Sequence, residues 1–387
     1  MISRSIDHHH VPIMGTAHVD RSTKKLLMRI PHGAIAVIAH DDLDELAVQG
    51  LLQAKVKAVI NAGRTMSGRI PSSAVLPLLD AEVPIYEMEP VHFDLLEDEP
   101  EIVIANEQLM VHPYGSIPCR QFTRQDWFQR FQTAKDGEAY ELKKFVENTL
   151  RYAELEKEFL FEPLKSRELR TSFRGRSVVV VVRGSGYQAD LVCLHDYIQA
   201  VRPVLVGVDG GADALLEQGY QPDVIVGDMD SVSDKALRCG AELVVHGYRS
   251  GAAPGLVRLE PLGLQSAAVI VACGGTSEDL ALLLAYDHQC EEIVTVGLHS
   301  HMHDFLEKGR NGMGSTWLVR MKVGNRLMDA KGISRLFPYL QKQTKPWPLR
   351  AQSLLDKLKP KLILPQWFRR ESEPHGTAHI RHHSRLE

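Results

Sequence analysis

Acids and glycines gather at two nearby points of the 387-residue chain: Val204-Leu-Val-Gly-Val-Asp209-Gly210-Gly211-Ala-Asp213, then Gln221-Pro-Asp223-Val-Ile-Val-Gly227-Asp228-Met-Asp230-Ser231. Each is an apolar run of β type that ends in carboxylates. Acids at the carboxyl ends of buried parallel strands face the crevice in which α/β folds take ligands. Left without a partner there, they are costly. A hard divalent cation carrying a phosphate relieves that cost, because Mg²⁺ prefers oxygen ligands. Asp209, Asp228 and Asp230 are therefore the candidate metal ligands, and Asp228 and Asp230 are candidate catalytic groups as well. Gly210 and Gly211 let a backbone approach a ligand closely, and Ser231 joins them as a cofactor-binding candidate. The competing explanation is turn chemistry, since Asp and Gly also favour turns and helix caps.

Five further segments could carry chemistry. In Cys273-Gly-Gly-Thr276-Ser277-Glu278-Asp279, glycines between a strand and a helix can present free N–H groups to phosphate. This makes Thr276 and Ser277 candidate cofactor contacts and Asp279 a candidate catalytic acid. Thr276-x-x-Asp279 equally fits a capping box. Arg183-Gly-Ser-Gly186 and Lys308-Gly-Arg310-Asn-Gly-Met-Gly-Ser315-Thr316 offer Arg183 and Arg310 to an anionic tail, or are ordinary surface turns. His299-Ser-His301-Met-His303-Asp304 has the residue types of a metal site, but it runs into a helical pattern that would scatter the three rings. Asn61-Ala-Gly-Arg64-Thr-Met-Ser67-Gly-Arg69 follows a strand and could form an anion-binding loop.

These segments need elements to hold them. After a polar, His-rich start over 1–20, residues 21–120 read as a small α/β domain. Its strands lie at 34–39, 57–61 and 83–86, its helices at 42–56 and 72–79, and a hairpin at 102–111. Residues 121–165 read as a helical connector, with Leu142, Phe145, Val146, Thr149, Leu150 and Leu155 at helical spacing; such a face could also carry a homodimer contact. The basic stretch 165–176 marks a boundary. From Ser177 to about Phe337, strands (177–183, 204–208, 224–226, 243–245, 267–272, 293–296) alternate with helices (191–201, 214–219, 234–239, 277–288, 315–323). That alternation implies a mostly parallel sheet covered on both faces, so the fold class is α/β.

Composition narrows the rest. The net charge of -4 is uneven, because residues 338–387 hold ten Lys/Arg against four Asp/Glu. In that tail Trp347, Leu354, Leu358, Leu362, Trp367 and Phe368 are set among the basic residues. Such a segment can lie on an anionic membrane surface or dock on the protein itself. No run approaches the roughly 20 apolar residues of a membrane span, and no apolar leader is present. Five scattered cysteines without a CxxC spacing suit reduced thiols. A cytoplasmic protein without nucleic-acid partners is expected, peripheral to the membrane at most.

The acid-rich stretch resembles thiamine pyrophosphokinase catalytic domains, which carry DGGA, PD, GDxDS and a TD-containing helix start. The matches are Asp209-Gly-Gly-Ala212, Pro222-Asp223, Gly227-Asp228-Met-Asp230-Ser231 and, in place of Thr-Asp, Glu278-Asp279. Over most of the chain there is a wider resemblance to SteA-type cytokinetic ring proteins of Gram-positive bacteria. It is carried by Lys57-Ala-Val-Ile-Asn61 with Ser67-Gly-Arg69, Gly207-Val-Asp-Gly-Gly-Ala-Asp213, Ile225–Val232, Arg238–His246, Gly275–Asp279 and Asp329-Ala-Lys-Gly332. The first resemblance implies Mg²⁺, ATP or another nucleotide, a thiamine-like acceptor and diphosphoryl transfer. The second implies a nucleotide-binding factor of cell division and envelope growth with a membrane-protein partner, although the membrane span usual in its actinobacterial members is replaced here by the basic tail. Of the Gly-Arg-x-Asp-His signature of the pyrophosphokinases, Gly309-Arg310 remains here, followed by Asn311-Gly-Met-Gly-Ser315 with no Asp-His pair. Three outcomes stay open: a ligand-binding factor, an active diphosphokinase, and a scaffold with a relic site.

Overall fold

A computed structural model describes residues 12–111, 115–160, 162–164, 168–248 and 250–343. Seven strands close the first module into a barrel: β1 (Ile13–Val19), β2 (Ile35–Ile38), β3 (Ala58–Asn61), β4 (Ile85–Met88), β5 (Glu101–Ala105), β6 (Gln108–Val111) and β7 (Gly115–Phe122), in the order β1-β2-β3-β4-β7-β6-β5. The run from β1 to β4 is parallel; the remaining pairs are antiparallel, and Ile13↔Ile104 to Thr16↔Glu101 close the ring. Side chains alternate across the wall. Ile35, Val37, Ala58 and Ile60 fill the barrel with Ile102, Ile104 and Leu109. Ala36, Ile38 and Val59 pack outward under Leu26, Leu51 and Leu78 of three covering helices.

Two strands of this barrel differ from the sequence expectation. The expected loose start over 1–20 is a strand from Ile13 onward. Its pattern is weak because Gly15, Thr16 and His18 dilute the apolar alternation. Gly115–Phe122 is also a strand, masked by Pro118, which ordinarily demotes a run from a sheet. The expected helix over 42–56 is Glu45–Gln53, with Asp44 as its N-cap.

The second module is a seven-stranded, wholly parallel sheet. Its strands are β8 (Val178–Val181), β9 (Val204–Val208), β10 (Val224–Gly227), β11 (Glu242–Gly247), β12 (Val269–Ala272), β13 (Ile293–Val296) and β14 (Leu327–Asp329), ordered β12-β11-β10-β9-β8-β13-β14. All four β8 residues are buried, as a doubly covered strand requires. Val178 and Val180 meet Leu280, Leu283 and Val319 on one face, and Val179 and Val181 meet Leu191, Ile198 and Leu215 on the other. The chain leaves β8 towards β9 on one side and later returns to β13 on the other. This reversal opens a crevice at the carboxyl edge. The expected helix over 191–201 is two, Tyr187–Cys193 and His195–Val201.

A 33-residue helix, Arg124–Glu156, runs between the modules, about 50 Å at 1.5 Å per residue. It starts on a capping box made by Thr123 and Asp126. Near its start, Trp127 Nε1 donates to Ser72 O (3.0 Å) and Arg130 grips both oxygens of Glu87 (2.8 and 2.6 Å). Further along, Phe145 is buried with Ile70, Phe305 and Leu306, and Thr149 Oγ1 accepts from Met313 N (3.1 Å). Phe145, expected on a face suited to dimer contact, therefore packs within its own chain, while Val146, Leu150 and Leu155 are exposed. The chain divides into two compact units at Arg335 and Leu336. Of the basic tail expected over 338–387, residues 338–343 belong to the helix Ile333–Gln343, and the rest lies outside the described residues. Among the described residues no helix is long and apolar enough to cross a membrane.

Candidate functional site

The carboxyl edge of the parallel sheet faces the loops after β2 and β3 of the barrel across a groove of about 2150 Å³. Asp209 follows β9 directly, with φ +47, and its N–H is tied to Val226 O (2.9 Å). Its carboxyl lies over Gly227, where a Cβ would run into Asp209 Oδ1. That oxygen is buried and has no hydrogen-bond partner. Burial, with the neighbouring Asp228 carboxylate, pushes the Asp209 carboxyl up to about 7, against the pull of the Lys24 ammonium and the Met229 N–H.

Asp228 and Asp230 are exposed to the groove. Asp228 Oδ1 accepts from Asp230 N (3.1 Å), and Met229 between them has φ +63. Lys25 Nζ, from the barrel helix Thr23–Leu27, lies 3.6 Å from Asp230 Oδ2. The three candidate metal ligands are not gathered to the 4.8 Å spacing of a ready-made ion site; among the described residues His18, Asp98 and Glu99 meet it. That trio is partly engaged, with Asp98 accepting from Arg29 Nη1 (2.6 Å) and Val19 N (2.8 Å). What Asp209 and Asp228 offer is a different fit: a partnerless buried oxygen beside a second carboxylate, which is donor chemistry for a hard cation.

Other candidates hold the loops. Arg183 Nε donates to Gly210 O (2.6 Å) and its Nη2 lies 3.4 Å from Asp213, so the guanidinium orders the turn after β9. A Cβ at Gly210 would meet that guanidinium carbon at 2.7 Å, and one at Gly211 would strike Val181 O. Asp213 also accepts from Ser233 N (3.1 Å) and Oγ. Ser231 lines the groove.

Thr276 and Asp279 form the capping box of the helix Ser277–Asp287. Asp279 Oδ2 accepts from Thr276 N and Thr316 Oγ1 (both 2.9 Å), while its buried Oδ1 has no partner. Burial pushes this carboxyl up to about 6, with Glu278 acting in the same direction and the hydrogen bonds opposing. Ser277 Oγ is 3.3 Å from His246 Nδ1, and His246 Nε2 is 3.1 Å from Cys273 O. The carbonyl can only accept, so Nε2 carries the proton and Nδ1 faces Ser277 as an acceptor. Burial lowers the pKa of His246, helped by Arg310.

The three spaced histidines scatter. His299 pairs with Glu278, His301 caps the helix Met302–Glu307 with Asp304, and His303 reaches Glu138 (3.0 Å). Burial would raise the Glu278 pKa, but the His299 hydrogen bond and the Lys308 charge outweigh it and hold the carboxyl low. Arg310 is exposed on the groove and makes no ion pair among the described residues.

On the barrel side, fully buried Asn61 accepts from His40 N (2.9 Å) and Gly63 N (3.0 Å) and donates to His40 O (2.8 Å). Asp42 accepts from Ser67 N (2.6 Å) and Oγ (2.8 Å), and Asp41 accepts from Arg64 N (2.7 Å). The loop is thus ordered by the chain's own acids. Arg69 lies 3.3 Å from Glu141, while the exposed Arg64 lines the groove. Sequence reasoning missed Lys24, Lys25 and His246. No local pattern could have linked Lys24 and Lys25 to acids nearly two hundred positions away.

Residues 195–246 match the family described as thiamin pyrophosphokinase, catalytic domain; the matched stretch contains Asp209, Asp228, Asp230 and His246. Among solved structures, the chain is similar to thiamine pyrophosphokinase from Bacillus subtilis, at 22% identity and TM-score 0.25, over 40% of this chain and 58% of that one. It is also similar to 3-isopropylmalate dehydratase (leuD) from Methanocaldococcus jannaschii, at 11% identity and TM-score 0.22, over 33% of this chain and 99% of that one. No curated protein sequence matches. The second module carries a thiamin-pyrophosphokinase-like catalytic segment, and its acids stand at the carboxyl edge of the sheet.

Proposed function

We propose that the second module binds a nucleotide or diphosphate together with Mg²⁺, as a SteA-like factor of cell division and envelope growth rather than as a turnover enzyme. The observation that carries this reading is the buried, partnerless Oδ1 of Asp209 beside Asp228. Such an oxygen is costly unless a cation or proton meets it. Asp209 and Asp228 would hold the ion, Asp230 would join on leaving Lys25, and Arg310 would meet phosphate. The ion would neutralise phosphate charge. The resemblance across both modules supports the division role, with a cytoplasmic location, homodimer formation and a membrane-protein partner approached through the basic tail. The pyrophosphokinase signature Gly-Arg-x-Asp-His keeps Gly309-Arg310 here but has no Asp-His pair after it, which supports binding without efficient transfer.

The family match over 195–246 favours a second reading, an active diphosphokinase moving diphosphate from ATP to thiamine or another alcohol. A carboxylate would then orient the attacking hydroxyl, and Arg310 would take up developing charge. Asp279 could act only by ordering the pocket, since it is fully buried in its cap.

Thermal shift with ATP, ADP, GTP and thiamine, each with and without Mg²⁺, separates these readings. Ligand at about a hundred times its Kd stabilises by about 2.7 kcal/mol. A nucleotide shift that needs Mg²⁺ and disappears in Asp228→Asn is the expected result. AMP release that depends on thiamine would favour the kinase. No shift with any nucleotide would leave a scaffold with a relic site.

A further inference from the structure

Four cations line the groove without an ion-pair partner among the described residues: Lys308 and Arg310 of the second module and Lys24 and Arg64 of the barrel. Lys308 has only the His299 ring at 3.4 Å. Like charges crowded on one groove repel unless an anion lies among them. At Lys308, exposed on the groove, lost solvation lowers the pKa, Lys24 and Arg310 lower it further, and Glu278 and Asp44 oppose.

Lys24 is held in place by its neighbours. Ser22 caps its helix, Thr23 Oγ1 lies 2.9 Å from His40 Nδ1, and Leu26 is fully buried in the barrel's outer core. The next residue, Lys25, pairs with Asp230 across the groove. The barrel helix therefore brings Lys24 to the groove and Lys25 to Asp230 after β10.

We propose that the polyphosphate site is composite: Lys24 of the barrel binds the phosphate chain of the nucleotide together with Lys308 and Arg310 of the second module. This rests on the nucleotide reading above and adds that the barrel supplies part of the ligand's contacts. Lys25 has the opposite part, because its ion pair with Asp230 competes with a cation there.

Calorimetric titration of the full chain with MgATP and with magnesium pyrophosphate tests this, using Lys24→Gln, Lys24→Arg, Lys25→Gln and Arg310→Gln. Lys24→Gln and Arg310→Gln should each weaken both ligands about tenfold, the scale of one charge-assisted hydrogen bond. Lys24→Arg should restore most of the loss, and Lys25→Gln should bind at least as tightly as wild type. If Arg310→Gln weakens binding while Lys24→Gln matches wild type, the composite site is overturned and the nucleotide reading stands. If wild type binds neither ligand, both fall.

Discussion

At the scale of single residues, Asp209 concentrates the chemistry. Its carboxyl is raised to about 7 by burial and by Asp228, with Lys24 opposing. An ordinary aspartate ionises near pH 3.9. Between these values the folded chain keeps a proton that the unfolded chain has released, so this group's contribution to stability is present at low pH and declines as pH rises towards 7. Cation binding runs the other way, because the ion must displace that proton. Mg²⁺ affinity, measured by calorimetry, should rise by up to about tenfold per pH unit below pH 7 and level off above it. Asp209→Asn should bind weakly at every pH and show no such rise. A wild-type affinity indifferent to pH would contradict the assignment. The acids themselves were legible because Asp209, Asp228 and Asp230 each lie within a few positions of an apolar strand. The partners of Arg183 were not: a long flexible side chain can reach a phosphate or Gly210 O equally well, and only the fold decides.

At the scale of elements, local chemistry sets most boundaries. The strands Val204–Val208 and Ile293–Val296 agree with their sequence reading end to end, since β-branched runs buried on both faces leave no competing helix. The Thr276-x-x-Asp279 spacing fits a phosphate turn or a cap, and the cap is formed. Thr276→Ala should cost about 1 kcal/mol in denaturant unfolding, the usual worth of an N-cap. Elements that depend on partners were less legible. β14 is a three-residue strand defined by pairing with β13. The close approach of the long helix to Gly314 also has no local signature, although a Cβ there would come within 2.6 Å of Ala153 N. Backbone cannot yield as a side-chain tip can, so Gly314→Val should destabilise by about 1–3 kcal/mol, the range for overpacking. An unchanged unfolding midpoint would show that the two helices slide apart at little cost.

At the scale of the whole molecule, barrel closure and the groove arise from contacts that sequence periodicity does not encode. Alternating apolar residues identify strands, but nothing local says that Ile13 will pair with Ile104. The long helix is one of the contacts that join the two modules, beside Leu46 of the barrel against the core of the second sheet, and Phe145 is buried where it does so. Its side chain is 2% exposed and packs with Ile70 of the barrel and with Phe305 and Leu306 of the second module; the Phe145 and Phe305 rings lie 6.4 Å apart. Phe145→Ala should therefore cost about 3–5 kcal/mol. It should do more than lower the midpoint. With that contact gone, the barrel can move away from the strand ends, and Lys24 and Lys25 with it. Calorimetric unfolding should change from one coupled transition to two, and MgATP should then raise only the one that belongs to the second module. Wild type, in contrast, should show ligand stabilisation across the whole transition, because the groove draws on both modules. If Phe145→Ala keeps a single transition that MgATP raises as much as in wild type, the helix is a passive linker and the modules are coupled through the groove alone.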